Sequence, residues 1–375
     1  MKSIIAFIKK ETVLSVAWIL ALVSAFMVPP SKNYMGYIDF NTLFLLFCLM
    51  CVMASFKKLG AFEKCSEYLL GKVHSSAGIV ALLVFLPFFF SMIITNDVAL
   101  IVFVPLAIIT LKMCAMEKLV LFTVVLQTLA ANLGSMSLPM GNPQNLYLYG
   151  KSGFTFAKFI TTMLPYTAAS FVLLAICVAI AGLREKTGVK IQNEDRKDSS
   201  EIPSKKMWAV NTAAFILCLL SVGKLIPPMI LFPVILLAYV FADKKILKEV
   251  DYSLLLTFIG FFIFTGNLRN MDGAKTLISN ALTGHEVGFS VFASQAISNV
   301  PAALLLSSFT ENYSALMIGT NLGGLGTLIA SMASLISFKQ IAKNYHEKRG
   351  PYFIQFTLLN IIFLAILFAF HVFIS

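Results

Sequence analysis

Long apolar segments, separated by short polar connections, follow one another along the whole chain. Most are close to the roughly 20 residues that a helix needs to cross the hydrocarbon core of a bilayer. The pattern therefore predicts an all-α polytopic membrane protein with about nine full spans. The predicted spans are residues 11–28, 40–56, 118–149, 156–182, 207–222, 228–242, 251–267, 313–337 and 351–374.

Two further apolar stretches, 76–111 and 286–309, are interrupted near their middles by polar residues. Lipid cannot satisfy the backbone groups that such a break frees, so a break at membrane depth must line a cavity or be buried in protein. We therefore predict two re-entrant hairpins with the breaks at their tips. The breaks are Thr95-Asn96-Asp97 and Ser298-Asn299-Val300-Pro301.

The composition indicates the same class, because 58% of the 375 residues are hydrophobic and 13% are charged. Soluble domains carry about 25% charged residues, so a water-soluble enzyme, a disulfide scaffold and a disordered chain are excluded. The 6 cysteines and 4 histidines form no metal-ligand spacing, so we predict no cofactor and no transition metal. An intramembrane enzyme is unsupported because Asp97 alone among the acidic residues lies in a membrane-depth break.

The net charge of +11 is explained by membrane orientation, without a nucleic-acid partner. With the N-terminus inside and both hairpins returning to their side of origin, 23 of the 29 lysines and arginines lie on the cytoplasmic side. Cytoplasmic loops of membrane proteins carry such an excess, and the C-terminus is then predicted to lie outside. The 6 outer basic residues are Lys32, Lys151, Lys158, Lys224, Arg269 and Lys275.

The two halves of the chain resemble each other in the order of their elements and in short motifs. The first repeat, 1–182, is followed by a cytoplasmic linker, 183–206, a connecting helix, 207–222, and the second repeat, 223–375. The connecting helix inverts the second repeat, and inverted repeats with broken helices are typical of secondary transporters. The matching motifs are Ile38-Asp39-Phe40 with Val250-Asp251-Tyr252, Thr95-Asn96 with Ser298-Asn299, and Ala131-Asn132-Leu133-Gly134-Ser135 with Thr320-Asn321-Leu322-Gly323-Gly324.

Polar clusters lie at both hairpin tips and within 118–149 and 313–337, which we predict to be broken helices. Free carbonyls at half-helix ends suit Na⁺, and half-helix N-termini suit an anion. A carboxylate at this depth costs roughly 2.5–3.5 kcal/mol on insertion scales, so Asp97 is expected to hold a cation or a proton. Its alternative role is to cap a helix that begins at Val98. The asparagines have an alternative role in hydrogen bonds between helices.

Four motifs, in this order, resemble those of the ion-transporter superfamily. This group contains divalent-anion/sodium symporters, citrate carriers, arsenite-efflux permeases and sodium/proton antiporters, and the resemblance covers nearly the whole chain. The motifs are Thr95-Asn96-Asp97-Val98-Ala99-Leu100 with Pro105, Gly141-Asn142-Pro143-Gln144-Asn145, Ser298-Asn299-Val300-Pro301-Ala302, and Asn321-Leu322-Gly323-Gly324-Leu325-Gly326-Thr327.

The resemblance implies an elevator-type carrier of the cell membrane, usually a homodimer. Each hairpin tip and the broken helix facing it would form one ion site, Na⁺ being the expected metal ion, with the substrate between the tips. The implied cation ligands are Asn96, Asp97, Asn132, Gly134, Ser298, Asn299, Asn321 and Gly324. The implied substrate ligands are Thr95, Asn96, Asn142, Asn145, Ser298, Asn299 and Thr327.

One departure from the symporter branch concerns the substrate. Both tips of that branch read Ser-Asn-Thr, whereas here Asp97 and Val300 stand in place of the two threonines. The missing hydroxyls are donors expected to hold a dicarboxylate, and an ionised Asp97 repels a nearby anion. The first tip therefore looks more like the arsenite-permease and antiporter branches.

The sequence as a whole predicts a cation-coupled secondary active transporter, driven by Na⁺ or H⁺, for a small anion such as a di- or tricarboxylate. The alternatives are sodium/proton exchange, efflux of arsenite or another oxyanion, and, with less support, a channel, which needs a continuous pore. The predicted partners are the small anion, the lipid bilayer and a second copy of the chain.

Overall fold

The computed structural model describes residues 11–73, 75–184 and 205–375, most of which lie in α-helices. Lys2, Lys9 and Lys10 and most of the predicted linker 183–206 lie outside the described residues. The α-helices are α1 Thr12–Met27, α2 Tyr34–Tyr37, α3 Phe40–Lys58, α4 Ala61–Leu70, α5 Ser76–Ile94, α6 Asn96–Met113, α7 Val120–Ser135, α8 Pro143–Ser152, α9 Phe156–Arg184, α10 Lys205–Val222, α11 Pro228–Asp243, α12 Tyr252–Arg269, α13 Asp272–Leu282, α14 Glu286–Ile297, α15 Asn299–Leu306, α16 Tyr313–Leu322, α17 Met332–Asn344 and α18 Arg349–Ile374. Short 3-10 helices occupy Glu117–Leu119, Pro139–Gly141, Ile246–Glu249 and His346–Lys348.

Among the described residues, 8 helices are long and apolar enough to cross a membrane, which confirms the predicted all-α polytopic membrane protein. Two of the predicted spans, α1 and α11, are shorter, with 16 residues each. At 1.5 Å per residue each is about 24 Å long, against about 30 Å of hydrocarbon in a bilayer. The longer helices are Phe40–Lys58, Ser76–Ile94, Asn96–Met113, Glu117–Ser135, Phe156–Ala181, Lys205–Val222, Tyr252–Arg269 and His346–Ile374.

Matching aspartates start the matching helices α3 and α12. Asp39 accepts a hydrogen bond from the backbone N–H of Thr42 at 3.1 Å, and Asp251 accepts one from Leu254 at 3.0 Å. Each carboxylate satisfies one of the orphan N–H groups of a first helical turn. The backbone angles are also alike, with φ −84° and ψ 88° at Asp39 and φ −77° and ψ 82° at Asp251.

The helices of the two halves pack reciprocally. Helix α1 lies against α12 while α11 lies against α3, and α8 lies against α15 while α17 lies against α6. A two-fold relation requires each contact to occur twice with the two halves exchanged. The packing therefore indicates a two-fold relation between the halves, and their inverted orientation in the membrane stays a prediction.

The chain reverses at Thr95, between α5 and α6, and at Ser298, between α14 and α15, and the two arms of each hairpin pack together. The two hairpins have arms of unequal length. Helices α5 and α6 have 19 and 18 residues, so each arm is long enough to span a bilayer. Helices α14 and α15 have 12 and 8 residues, about 18 and 12 Å. The return of the first hairpin to its side of origin stays a prediction.

Both predicted broken helices are interrupted. Residues 136–142 separate α7 from α8, and residues 323–331 separate α16 from α17. The second halves run to residues 152 and 344, beyond the predicted ends. In the first break the side chain of Asn142 accepts a hydrogen bond from the N–H of Asn145 at 2.9 Å and so caps α8.

The close approach of α7 to α5 gives a stability prediction. A Cβ at Gly134 would lie 2.0 Å from the carbonyl oxygen of Phe88, so Gly134→Ala must push the two helices apart. We expect this overpacking to destabilise the protein by about 1–3 kcal/mol, measured as a lower Tm in detergent.

The matched control is Gly288→Ala in α14, where the nearest atom, Cζ of Phe368, lies 3.9 Å away. Alanine is a better helix former than glycine by about 1 kcal/mol, so this variant should be as stable as the parent or slightly more so. Equal Tm values for the two variants would contradict the packing described.

Candidate functional site

The first hairpin tip meets both halves of the protein at one oxygen atom. The amide Nδ2 of Asn96 donates to Oδ1 of Asn132 in α7 at 3.0 Å. The hydroxyl of Ser331, in the break of the second repeat, donates to the same oxygen at 3.0 Å. The tip, α7 and the second break are therefore joined through Asn132.

Three polar atoms at this junction have no hydrogen-bond partner although they are buried: Oδ1 of Asn96, Oδ1 of Asp97 and Nδ2 of Asn132. An unsatisfied buried polar atom costs about 1–3 kcal/mol. The two oxygens, from adjacent residues, are ligands of the kind that hard cations take. The oxygen of Asn132, by contrast, already accepts two hydrogen bonds, so its free atom is a donor.

The alternative role of Asp97 as a helix cap is wrong. Helix α6 begins at Asn96, not at Val98, and Thr95 holds the cap position without a side-chain hydrogen bond to the helix. Asp97 lies within the first turn, where the helix dipole stabilises its negative charge.

Asparagines of the two broken helices form a second junction. Nδ2 of Asn142 donates to Oδ1 of Asn321 at 2.9 Å, and Nδ2 of Asn321 donates to Oδ1 of Asn145 at 2.6 Å. All three side chains are buried. Because these groups satisfy one another, they brace the two breaks against each other.

The second hairpin tip is bound directly to the second break. The backbone N–H of Asn299 and the hydroxyl of Ser298 both point at the carbonyl oxygen of Ala330, at 2.9 and 3.3 Å. Oδ1 of Asn299 accepts from the N–H of Val300 at 2.9 Å. The side-chain nitrogen Nδ2 of Asn299 would lie 2.9 Å from a Cβ at position 324, so Gly324 is needed for this close approach.

Two further predicted ligands have other surroundings. The carbonyl of Gly134 accepts hydrogen bonds from the N–H of Ser137 at 3.0 Å and from its hydroxyl at 2.7 Å. Thr327 is exposed, and its N–H donates to the side chain of Gln295 at 3.0 Å. These hydrogen bonds engage Gly134 with Ser137 and Thr327 with Gln295, and not with the residues of the first tip.

A cavity of about 190 Å³ opens beside the first tip. Thr95, Asp97 and Asn142 line its inner part, together with leucines and methionines of α3. The exposed residues Lys57, Glu249 and Asp251 also line it, and under the predicted orientation these lie on the cytoplasmic side.

A second cavity, of about 330 Å³, lies on the side that the predicted orientation makes the outer one. It is lined by Asp39, Tyr149 and Lys224, and the ammonium of Lys224 lies 4.5 Å from the centre of the Tyr149 ring. Leu146 of α8 lines both cavities, so the half-helix after the first break separates them.

Comparison with known proteins identifies the family. A family model described as a citrate transporter matches residues 4–314. The chain belongs to the citrate transporter family. It is therefore a multi-pass transporter of the cell membrane, and the predicted resemblance to the ion-transporter superfamily is confirmed.

Relatives of this citrate transporter family member extend over most of its length. An uncharacterized transporter of Methanocaldococcus jannaschii is 33% identical over 338 residues, 89% of each chain. Inner membrane protein YbiR of Escherichia coli is 28% identical over 360 residues, 92% of each chain. A putative transporter arsB of Dictyostelium discoideum is 27% identical over 129 residues, 34% of this chain and 22% of the relative.

Two glutamines of this family member join its helices although the sequence pattern did not single them out. Nε2 of Gln127 donates to the carbonyls of Leu83 at 2.8 Å and Phe103 at 3.2 Å, and so ties both arms of the first hairpin to α7. Gln295 binds the second break. The available signal was a polar side chain within an apolar helix, which in membranes is commonly hydrogen bonded to a neighbouring helix.

Both tips hold a backbone conformation that only glycine adopts readily. Thr95 has φ 71° and ψ 149°, and Ser298 has φ 73° and ψ 155°. Such strain costs about 1–3 kcal/mol, whereas glycine loses about 0.5–1 kcal/mol of chain entropy relative to alanine. Thr95→Gly should therefore be more stable than Thr95→Ala by up to about 2 kcal/mol, measured by thermal unfolding in detergent.

The control pair is Thr110→Gly and Thr110→Ala, in the last turn of α6. Here the backbone is helical, so glycine should be the less stable of the two by up to about 1 kcal/mol. If glycine is also the less stable replacement at Thr95, the tip is not strained.

Proposed function

We propose that this member of the citrate transporter family is a secondary active transporter that moves a small anion, in the carboxylate class, coupled to Na⁺ or H⁺. The observation that supports it best is the pair of buried oxygens without partners, on Asn96 and Asp97, at a helix break beside a cavity. A bound cation would satisfy both oxygens, and a proton would satisfy Asp97.

Coupling follows from the charge of Asp97. This carboxylate lines the cavity that a solute would enter, and like charges a few ångströms apart repel strongly where water is excluded. An anion can approach the tip only after a cation or proton has neutralised Asp97. Binding is then ordered, with the cation first.

Alternating access is supported by the two cavities on opposite sides of Leu146. Hydrogen bonds join the first tip, α7 and both broken helices through Asn132, Ser331 and Asn321. The second tip is joined to the second break through the carbonyl of Ala330. Parts joined in this way are expected to move as one body past α3 and α12, as in an elevator-type carrier. We expect the carrier to act as a homodimer.

A second candidate function is sodium/proton exchange or efflux of arsenite or another oxyanion. Among the described residues that line the cavity beside the first tip, Glu249, Asp251 and Asp97 are acidic and Lys57 is basic. Such a cavity receives neutral or cationic solutes more readily than multivalent anions. The local similarity to the putative transporter arsB is compatible with this alternative.

Flux into proteoliposomes separates these functions. Uptake of a radiolabelled mono-, di- or tricarboxylate that an inward Na⁺ or H⁺ gradient accelerates supports anion symport. Na⁺-dependent proton movement, detected with an amine dye in the absence of any anion, or arsenite flux without carboxylate flux, would replace it with the second candidate.

Asp97→Asn is the specific test of coupling. The amide cannot bind a proton or neutralise a cation. The cation gradient should therefore stimulate uptake by the variant at least tenfold less than uptake by the parent, while the variant is still expressed and folded. The measurement is initial uptake with and without the gradient.

Asp251→Asn is the matched control, since it removes a carboxylate from the same cavity and leaves the tip intact. Asparagine caps helices about as well as aspartate, so α12 should persist and cation stimulation should stay within about twofold of the parent. Undiminished stimulation in Asp97→Asn would remove Asp97 from the coupling mechanism.

A further inference from the structure

The second break encloses the amide group of Gln295, which projects from α14 three residues before the tip. Its nitrogen donates to the carbonyl oxygens of Gly323 and Leu325, both at 2.9 Å, and lies 3.2 Å from that of Val291. Its oxygen accepts the N–H of Thr327 at 3.0 Å. One side chain thus satisfies three backbone groups within the first half of the interruption, between residues 323 and 327.

The amide fills the space inside the break. Gly326 has φ 102°, and a Cβ there would lie 2.4 Å from the side-chain oxygen of Gln295. Carbonyl oxygens that converge from an unwound helix are the ligands on which a transporter holds a cation. Here the N–H groups of Gln295 supply the positive end of a dipole to those oxygens instead.

The second tip lacks the free oxygens of the first. Val300 occupies the position that Asp97 has in the first repeat, and Oδ1 of Asn299 already accepts a hydrogen bond from Val300. Ser298 and the N–H of Asn299 are engaged with Ala330. The first tip, in contrast, keeps two buried oxygens without partners.

We propose that the two repeats are functionally unequal: Gln295 replaces the cation of the second repeat with its own amide group, and the carrier couples to one cation only, held at the first tip. This inference rests on the proposed cation-coupled transport. Gln295 is a positioning residue that holds the second break closed in every step of the cycle.

Gln295→Glu tests the replacement directly. The variant loses both amide donors and sets a carboxylate against the carbonyls of Gly323 and Leu325, an arrangement that is repulsive unless a cation lies between them. Purified protein is titrated with NaCl at pH 8 and constant ionic strength kept with choline chloride, and the Tm is recorded. We expect a Tm below that of the parent without Na⁺ and a saturable rise with Na⁺ larger than the parent's.

Two controls separate this effect from general damage. Gln127→Glu makes the same chemical change against carbonyls that lie in the interiors of α5 and α6, and Gln295→Met removes the donors without adding charge. Both should lower the Tm without an added response to Na⁺. A Na⁺ response of Gln295→Glu no larger than the parent's, or an equal one in Gln127→Glu, would overturn the proposal.

The parent protein provides an independent test if the glutamate variant does not fold. The flux should rise with the concentration of the activating cation with a Hill coefficient near one, and Asp97→Asn should remove all of that activation. A Hill coefficient near two, or cation activation that persists in part in Asp97→Asn, overturns the single-site proposal. Coupled transport itself would still stand. Flux that needs no cation would instead refute the proposed function itself.

Discussion

Backbone groups at membrane depth must find partners within the protein, because lipid offers none, and this constraint organises the molecule. Helix breaks concentrate such groups at four places, the two tips and the two interrupted helices. The protein brings these places together, so that each supplies what another lacks. The N–H of Asn299 at the second tip meets the carbonyl of Ala330 in the second break, and Asn142 joins the first break to Asn321. The candidate site is therefore also the point where the two halves are held together.

The two matching halves provide similar frames, but the residues within them differ. In the first frame, the oxygens of Asn96 and Asp97 at the tip are left without partners. In the second frame, Oδ1 of Asn299 at the tip already accepts a hydrogen bond, and Gln295 satisfies carbonyl groups of the break. A bound cation stabilises a frame whose oxygens lack partners, whereas a frame whose polar groups are satisfied is not stabilised by it. Under the proposed single-cation coupling, the first tip therefore responds to the cation and the second tip does not.

The sequence predicted the elements and the breaks because these depend on local pattern. Apolar runs of membrane length, the matching motifs around Asp39 and Asp251 and the polar interruptions are all readable within a few residues. Hydrogen-bond partners are not, since Asn132 and Ser331 are 199 residues apart. Whether an asparagine faces a ligand or another asparagine depends on such distant contacts, and so does the role of Gln295. The lengths of the hairpin arms also escaped prediction, because an apolar run shows where a helix is possible and not where it crosses.

A single coupling cation restricts the substrate through electrostatics. Import of a dianion with one monovalent cation carries one net negative charge inwards, which costs about 2.3 kcal/mol against an inside-negative potential of about 100 mV. A tenfold cation gradient supplies about 1.4 kcal/mol, so such a carrier cannot concentrate a dianion in the cell under these conditions. A monoanion is moved without net charge, and the whole cation gradient is available to concentrate it. If the coupling is to one cation, the small anion is either a monoanion that is taken up or a more highly charged species that is expelled. Glu249 and Asp251 line the cavity beside the first tip, and under the predicted orientation they oppose entry of a multivalent anion from the cytoplasm. With the proposed single coupling cation, uptake of a monoanion is therefore the mode that satisfies both constraints.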